Sequence, residues 1–208
     1  MNARTWQHGG RRLGTFILQV WHNEQREIDR DHQSGAQLRR TREARASFTP
    51  AIDTRIGANL VGSRTGLTRP AIPVDADTDL FEWVRREQSG DGQRISCVLV
   101  DEAQFLNKRQ VLELTWIVDE LDIPVMAFGL KNDFRNELFE GSYNLLVNAD
   151  KIEEIKTICW HCDRKATMVV RSVNGVPVNE GDQIMIGGND DYKPVCRSCY
   201  RKTFQGGL

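Results

Sequence analysis

The sequence predicts an α/β protein, a parallel sheet covered by helices, with a small metal-stapled β-hairpin behind it. Three observations predict this. First, Ile95–Val100 and Val125–Leu130 are short apolar runs without polar alternation, the pattern of strands buried on both faces. Second, Val111, Leu114, Ile117, Val118 and Leu121 recur between them at helical spacing. Strand, helix and strand with short connections make a parallel crossover. Third, two Cys-x-x-Cys pairs, Cys159/Cys162 and Cys196/Cys199, stand 33 residues apart near the end of the chain.

In chain order, residues 1–46 differ in texture from the rest. They hold nine Arg and no Lys, and their single apolar cluster is Phe16-Ile17-Leu18-Gln19-Val20-Trp21. With no sustained period, a charged helical or disordered segment is expected there. A nucleic-acid arm is the other reading of the Arg excess. Five acids in the same segment dilute it, and no aromatic spacing supports it. From Phe48 the chain becomes compact, and Gly57, Gly62 and Gly66 mark a loop-rich stretch exposing Asp53 and Arg55. Residues 80–86, with Leu80, Phe81 and Val84 on one face, read as a helix stopped by Ser89-Gly90-Asp91-Gly92.

The Ile95–Val100 strand follows, and Asn107 is placed to cap the next helix. Pro124 ends that helix before the second buried strand. Residues 131–137 are polar around Phe134, residues 143–147 suggest a helical turn, and residues 152–158 suggest a strand running into the first cysteine pair. Between the pairs, residues 167–171 and 183–186 are expected to pair as a hairpin, with Asn174-Gly175 as a turn signal. The expected division is 1–46, 47–152 and 153–208.

The chain has 208 residues and a net charge of −1. That gives no global basic field for nucleic acid or an anionic membrane. Its apolar runs are shorter than a membrane span and the N-terminus lacks a signal-peptide pattern, so a cytoplasmic protein is expected. Of five cysteines, Cys97 sits inside the buried strand and the other four form the two pairs, which suits a reducing compartment with a metal.

Two constellations carry chemistry. The Ile95–Val100 strand ends in Asp101 and Glu102, and ligands of parallel sheets bind beyond the carboxyl ends of the strands. There an acid can associate with Mg²⁺ and its neighbour can act as a base. A solvated acidic turn is the other reading, and this stretch alone leaves both open. Arg55 is either a surface charge or, beside a phosphate, a neutralising group. The second constellation is stronger. Two Cys-x-x-Cys turns aim four thiolates at one point, as in a closed structural zinc site. A hairpin too small for its own core needs such a staple. His161 sits inside the first knuckle as a bystander, and a redox role for one pair is weakened by the second pair.

Taken together, Asp53-Thr54-Arg55, Val98-Leu99-Val100-Asp101-Glu102-Ala103-Gln104-Phe105, Phe128-Gly129-Leu130 with Asp133-Phe134-Arg135 and Leu138-Phe139, the cysteine pairs, and Ile186-Gly187-Gly188-Asn189-Asp190-Asp191-Tyr192 resemble the type II, zinc-containing thymidine kinases over about residues 47–200. The resemblance implies a P-loop-type kinase domain with a zinc-stapled lasso. It implies transfer of the ATP γ-phosphate to the thymidine 5′-hydroxyl, a salvage step making dTMP for DNA synthesis. In this likeness Glu102 is the base, Asp101 the Mg²⁺-associated acid, and Arg55 steadies phosphate charge. Leu130, Phe134 and Phe139 line the thymine pocket. Met185, Ile186 and Gly187 meet the base through backbone, and Tyr192 lies against the nucleoside. Zn²⁺ held by Cys159, Cys162, Cys196 and Cys199 is structural, Mg²⁺ arrives with ATP, and a homotetramer is implied.

One departure is large. The family opens with a strand and a Gly-rich loop ending in Gly-Lys-Ser/Thr, but the first lysine here is Lys108. Met1-Asn2-Ala3 resembles the run before that loop, and the likeness then lapses until about Ser47. A reading-frame shift restored near Ser47, or a gene-start or assembly error, gives this pattern. The expected consequences are a sheet lacking its first, central strand and a poor or inactive kinase; the other reading is an inactive remnant that acts only as a zinc-stabilised nucleoside- or protein-binding module.

Overall fold

In the computed structural model, residues 14–21, 44–52, 60–62, 68–90, 94–184 and 190–205 are described. Among the described residues, eight strands precede the cysteine-bearing part: β1 (Phe16–Trp21), β2 (Ala44–Pro50), β3 (Leu60–Gly62), β4 (Thr68–Pro70), β5 (Ile72–Val74), β6 (Ile95–Val100), β7 (Val125–Leu130) and β8 (Lys151–Glu154). Helices α1 (Leu80–Ser89), α2 (Lys108–Leu121) and α3 (Glu140–Asn148) lie among them. Six strands form one sheet in the order β5-β2-β6-β7-β1-β8, and each neighbouring pair is parallel. The short β3 and β4 pair antiparallel with each other. Among the described residues, no helix is long and apolar enough to cross a membrane.

The expectation of a missing central strand is corrected. Phe16–Trp21 pairs with β7 along its whole length and with β8 on its other side. Phe16, Leu18 and Val20 are buried in the main core, while Gln19, on the alternate face, donates to Glu153 of β8 at 3.0 Å. Two carboxylates fix where the strand starts. The Gly14 N–H donates to Asp122 at 2.6 Å and the Phe16 N–H to Asp150 at 2.8 Å. A Cβ on Gly14 would sit 3.2 Å from the Val118 carbonyl oxygen, so the chain passes the end of α2 at close quarters. The six-residue apolar cluster is therefore a strand, and the sheet spans the expected boundary at residue 46.

The helices begin and end as their sequences dictate. Asn107 caps α2 with a reciprocal capping box: its side chain accepts the Gln110 N–H while the Gln110 side chain accepts the Asn107 N–H. Asp79 caps α1 by accepting the Glu82 N–H at 2.7 Å. Leu80 and Val84 of α1, Val111, Leu114, Ile117 and Val118 of α2, and Leu145 of α3 cover one face of the sheet. Cys97, Leu99, Phe128 and Ile155 form a smaller cluster of their own. The strand expected over 152–158 is shorter: Lys151–Glu154 pairs with β1, and Ile158 makes only an isolated bridge to Lys165.

The cysteine-bearing part is a three-stranded antiparallel sheet, order β10-β9-β11, from β9 (Met168–Val173), β10 (Val176–Val178) and β11 (Asp190–Val195), followed by α4 (Arg197–Phe204). The turn signal holds. Asn174 (φ 50°) and Gly175 (φ 79°) are both left-handed, as a two-residue hairpin turn with the twist of its strands requires. The expected partner strand over 183–186 does not hold at Gln183 and Ile184, and Met185 and Ile186 lie outside the described residues. A two-residue turn makes the next residues the partner, so β9 pairs with β10 on one side and with β11 on the other. Gln183 and Ile184 are outside any strand. Pro177 and Pro194 lie in the two edge strands, where a missing ladder donor costs least.

Candidate active site and metal centre

β6 and β7 end side by side at the carboxyl edge of the sheet. The Asp101 N–H donates to the Phe48 carbonyl at 3.0 Å, extending the β2–β6 pairing by one residue. The chain then turns sharply. Glu102 is left-handed (φ 45°, ψ 39°), which costs an ordinary residue on the order of 1 kcal/mol, and its N–H donates to the Asp101 carboxylate at 2.9 Å. This places the Glu102 side chain in the interior, 3% exposed, whereas Asp101 is half-buried. A 3-10 turn over Ala103–Phe105 follows.

Gln104 holds the carboxylate. Its amide nitrogen donates to Glu102, and its amide oxygen accepts the Leu130 N–H at 3.0 Å. Two glycines leave room for this. A Cβ on Gly129 would come within 2.9 Å of the Gln104 side-chain oxygen, and one on Gly141 within 2.5 Å of the Ala103 carbonyl oxygen. Leu130 is held from its other side, its carbonyl accepting the Ser142 hydroxyl at 2.6 Å. Phe139, which precedes α3, packs edge-on against Phe105 at 6.0 Å. Glu102, Leu130 and Phe139 thus surround the one turn.

Phe134 is buried in the loop between β7 and α3. Its carbonyl accepts the Tyr200 hydroxyl at 2.7 Å, and the Arg171 guanidinium lies 5.0 Å from its ring centre. Tyr192 stands directly opposite Arg171 in the β9–β11 register, so their side chains share a sheet face. Arg55, Met185, Ile186 and Gly187 lie outside the described residues. Gln104, Asp133, Arg171, Gln183 and Tyr200 join the site although the sequence alone does not mark them as site residues. Arg171 had a usable signal, a charge inside the apolar run of β9.

The four cysteines converge as their spacing predicts. Their Sγ atoms all lie within 4.8 Å of one another. Cys162 is 3.7 Å from Cys196 and 3.8 Å from Cys199. A tetrahedral S₄ site with Zn–S bonds of about 2.3 Å needs S···S separations of about 3.8 Å, so the donor set fits zinc and fills its four positions. The first knuckle is closed by the Cys159 N–H donating to the Arg164 carbonyl at 2.8 Å. In the second, Cys196 is the N-cap of α4, its sulfur accepting the Cys199 N–H at 3.5 Å. That N–H and the neighbouring thiols pull the Cys196 thiol down to about 7. Burial and the same neighbours push Cys199 up to about 12. Four adjacent thiolates repel one another, and a divalent cation removes that repulsion.

A parallel α/β sheet with an acid pair at its carboxyl edge, joined to a small sheet whose four cysteines could hold a metal ion, defines an α/β protein with a candidate structural metal centre. The sequence comparisons narrow this class. A sequence model described as thymidine kinase matches residues 34–200. The chain is 56% identical over 155 residues to a thymidine kinase of Lactococcus lactis subsp. lactis, covering 74% of this chain and 80% of that protein. It is 57% identical over 153 residues to one of Streptococcus pyogenes serotype M28, covering 74% and 79%. With one of Streptococcus gordonii the identity is 56% over 155 residues, covering 74% and 79%. The chain belongs to the thymidine kinase family.

Proposed function

We propose that Glu102, Asp101 and the loop from Leu130 to Phe139 are the thymidine-binding and proton-accepting half of a phosphotransferase centre. The activity is transfer of the ATP γ-phosphate to the 5′-hydroxyl of thymidine. One observation carries the reading: a buried carboxylate, oriented by a hydrogen-bonded amide, at the carboxyl edge of a parallel strand. A carboxylate held in one orientation can accept the hydroxyl proton as the oxygen attacks phosphorus. Asp101, half-exposed beside it, would hold the Mg²⁺ that accompanies ATP. Leu130, Phe134 and Phe139 would supply the apolar wall for the base, Tyr192 a ring against the nucleoside, and Met185, Ile186 and Gly187 backbone groups for the thymine edge. Arg55 would steady phosphate charge. Zinc, held by Cys159, Cys162, Cys196 and Cys199, supplies a rigid joint between the β9–β11 sheet and α4, and its closed thiolate set leaves it no part in the transfer.

Turnover by this chain is expected to be low. No Gly-Lys-Ser/Thr occurs in its 208 residues, and Lys108 is its first lysine. Backbone donors, a lysine and a hydroxyl on the β- and γ-phosphates are what such a loop contributes. Losing one preorganised donor typically costs on the order of 10²–10³ in rate. Nucleoside binding draws on other residues and is expected to persist. Thymidine-dependent ATP hydrolysis and thymidine titration calorimetry on one preparation test this. Binding with turnover far below that of the Lactococcus lactis relative is the expected result. Equal turnover would refute the inactivity, and no binding would refute the pocket. Glu102→Gln removes whatever turnover remains while zinc stays bound; unchanged turnover would show that Glu102 is not the base. The same reading makes the chain a cytoplasmic homotetramer in nucleotide salvage, and sedimentation velocity checks the oligomer.

A further inference from the structure

Asp133 lies where the loop after β7 meets the zinc-bearing sheet. Its carboxylate is buried. One oxygen serves the loop, accepting the N–H groups of Arg135 and Glu137, both at 2.8 Å. These bonds close the tight turn through Asn136, which is left-handed at φ 64°. The other oxygen accepts Nε of Arg135 and Nε2 of Gln183, both at 3.1 Å. Gln183 is 50 residues away in sequence, between β10 and β11. Arg135 crosses the same seam, donating to the Gly181 carbonyl at 3.3 Å. The Tyr200 hydroxyl reaches Phe134 from α4, and Arg171 stacks on its ring from β9.

These polar contacts matter because apolar packing does not do the same job. Among the described residues, the core under the parallel sheet and the cluster around the cysteines are separate, and neither contains Phe134. A seam without a shared apolar core is registered by its directional bonds, and those to a buried carboxylate are the strongest of them.

We propose that Asp133, through Gln183, is a positioning residue for nucleoside binding. It locks the wall carrying Leu130, Phe134 and Phe139 to the zinc-stapled sheet. The proposal rests on the thymidine-binding reading above and adds to it a residue that touches no substrate.

The test is thymidine calorimetry with zinc analysis on four full-length proteins: the unaltered chain, Gln183→Ala, Gln183→Glu, and Asp133→Asn with Gln183→Glu. Gln183→Ala removes one charge-assisted bond and is expected to weaken thymidine about tenfold or more. Gln183→Glu sets a second carboxylate against Asp133 and is expected to weaken it further. In the double variant the amide introduced at position 133 donates to the carboxylate introduced at position 183, and that carboxylate also offers an acceptor to Arg135 Nε, which shares the Asp133 oxygen with Gln183 in the unaltered chain, so part of the lost affinity returns. Zinc content stays constant throughout. Unchanged affinity in Gln183→Ala, or no recovery in the double variant, overturns the positioning role alone. Loss of zinc in Gln183→Ala also overturns it, because the role would then be structural. If the unaltered chain binds no thymidine, the functional reading falls and the positioning role falls with it.

Discussion

Gln104 ties the Glu102 carboxylate to the end of the neighbouring strand, giving its amide hydrogen to Glu102 and taking the Leu130 N–H at 3.0 Å. One side chain thereby sets both the candidate base and the first residue of the proposed thymine wall. Its own position is fixed in turn by Gly129 and Gly141, where any Cβ would intrude on the turn.

Replacing Gln104 by Glu separates its two bonds. The Leu130 N–H keeps an acceptor, but Glu102 loses a donor and gains a like charge. The substitution is expected to destabilise the fold by about 1–3 kcal/mol at pH 7. It also raises the pH at which one carboxyl of the pair takes up a proton, so the loss shrinks in acid. Urea unfolding at pH 7 and pH 5 reads both effects. A stability change that does not vary with pH would show that the two side chains do not meet.

The four-cysteine centre stands in its own apolar cluster with Val170 and Val195, separate from the sheet core. Removing the metal by chelation, or a ligand by Cys162→Ser, is therefore expected to loosen β9–β11 selectively. Amide exchange over Met168–Val173 should quicken by orders of magnitude while that over Val98–Val100 of β6 holds. Equal acceleration in both sheets would mean that zinc staples the entire protein.

β1 lies outside the family match, which begins at residue 34, yet it fills a place between β7 and β8. If it is a working part of the core, Leu18→Ala should cost about 2–5 kcal/mol, as deletion of a buried leucine does. Ile17→Ala, on the half-buried face, should cost less. Denaturant midpoints of the two variants decide it. Equal, small shifts would mean that the strand adds little to the stability of the sheet.

That strand also shows where the sequence stopped being legible. Phe16–Trp21 is apolar enough to be a strand, but Gln19 interrupts the run and charged, aperiodic residues surround it. What makes it a strand is remote: Asp122 and Asp150 receive the Gly14 and Phe16 N–H groups at its start, and Glu153 accepts the Gln19 amide N–H. By contrast, β6, β7, the Asn107 cap and the Asn174-Gly175 turn were legible because their causes are local in sequence. The cysteine centre was legible for a different reason, since spacing alone restricts where four thiolates can meet. Gln104, Asp133 and Tyr200 were not, because a polar residue in a loop carries no mark of the partner it will find. The pairing of β9 shows the same limit. The turn is written in Asn174-Gly175, but nothing local says whether the residues directly after it or a more distant segment will pair with β9.

Glu113 offers the last test, one of charge at a helix start. Its side chain is 2% exposed. One carboxylate oxygen accepts the Leu80 N–H at 2.8 Å, at the first turn of α1, and the other is paired with Arg109. Arg109 also donates to the Ala76 and Thr78 carbonyls, at 3.0 and 3.2 Å, so the pair clamps the loop before α1 onto α2. Burial pushes the Glu113 carboxyl above its ordinary value of 4.5, with the Asp79 charge adding to it, while the Leu80 N–H and Arg109 oppose. The folded protein therefore holds this proton more tightly than the unfolded chain does. The group's contribution to stability is fully present below pH 4.5 and is lost as the pH rises through the higher folded value. Glu113→Gln has no proton to bind, so the stability gap between the unaltered protein and this variant should move in favour of the unaltered protein as the pH falls from 7 to about 4. Taking the difference cancels the acid sensitivity that other carboxylates give to both proteins. Urea unfolding of the two at several pH values measures the gap. A gap that moves the other way would mean that the Leu80 and Arg109 contacts outweigh burial, and that the folded protein prefers Glu113 ionised.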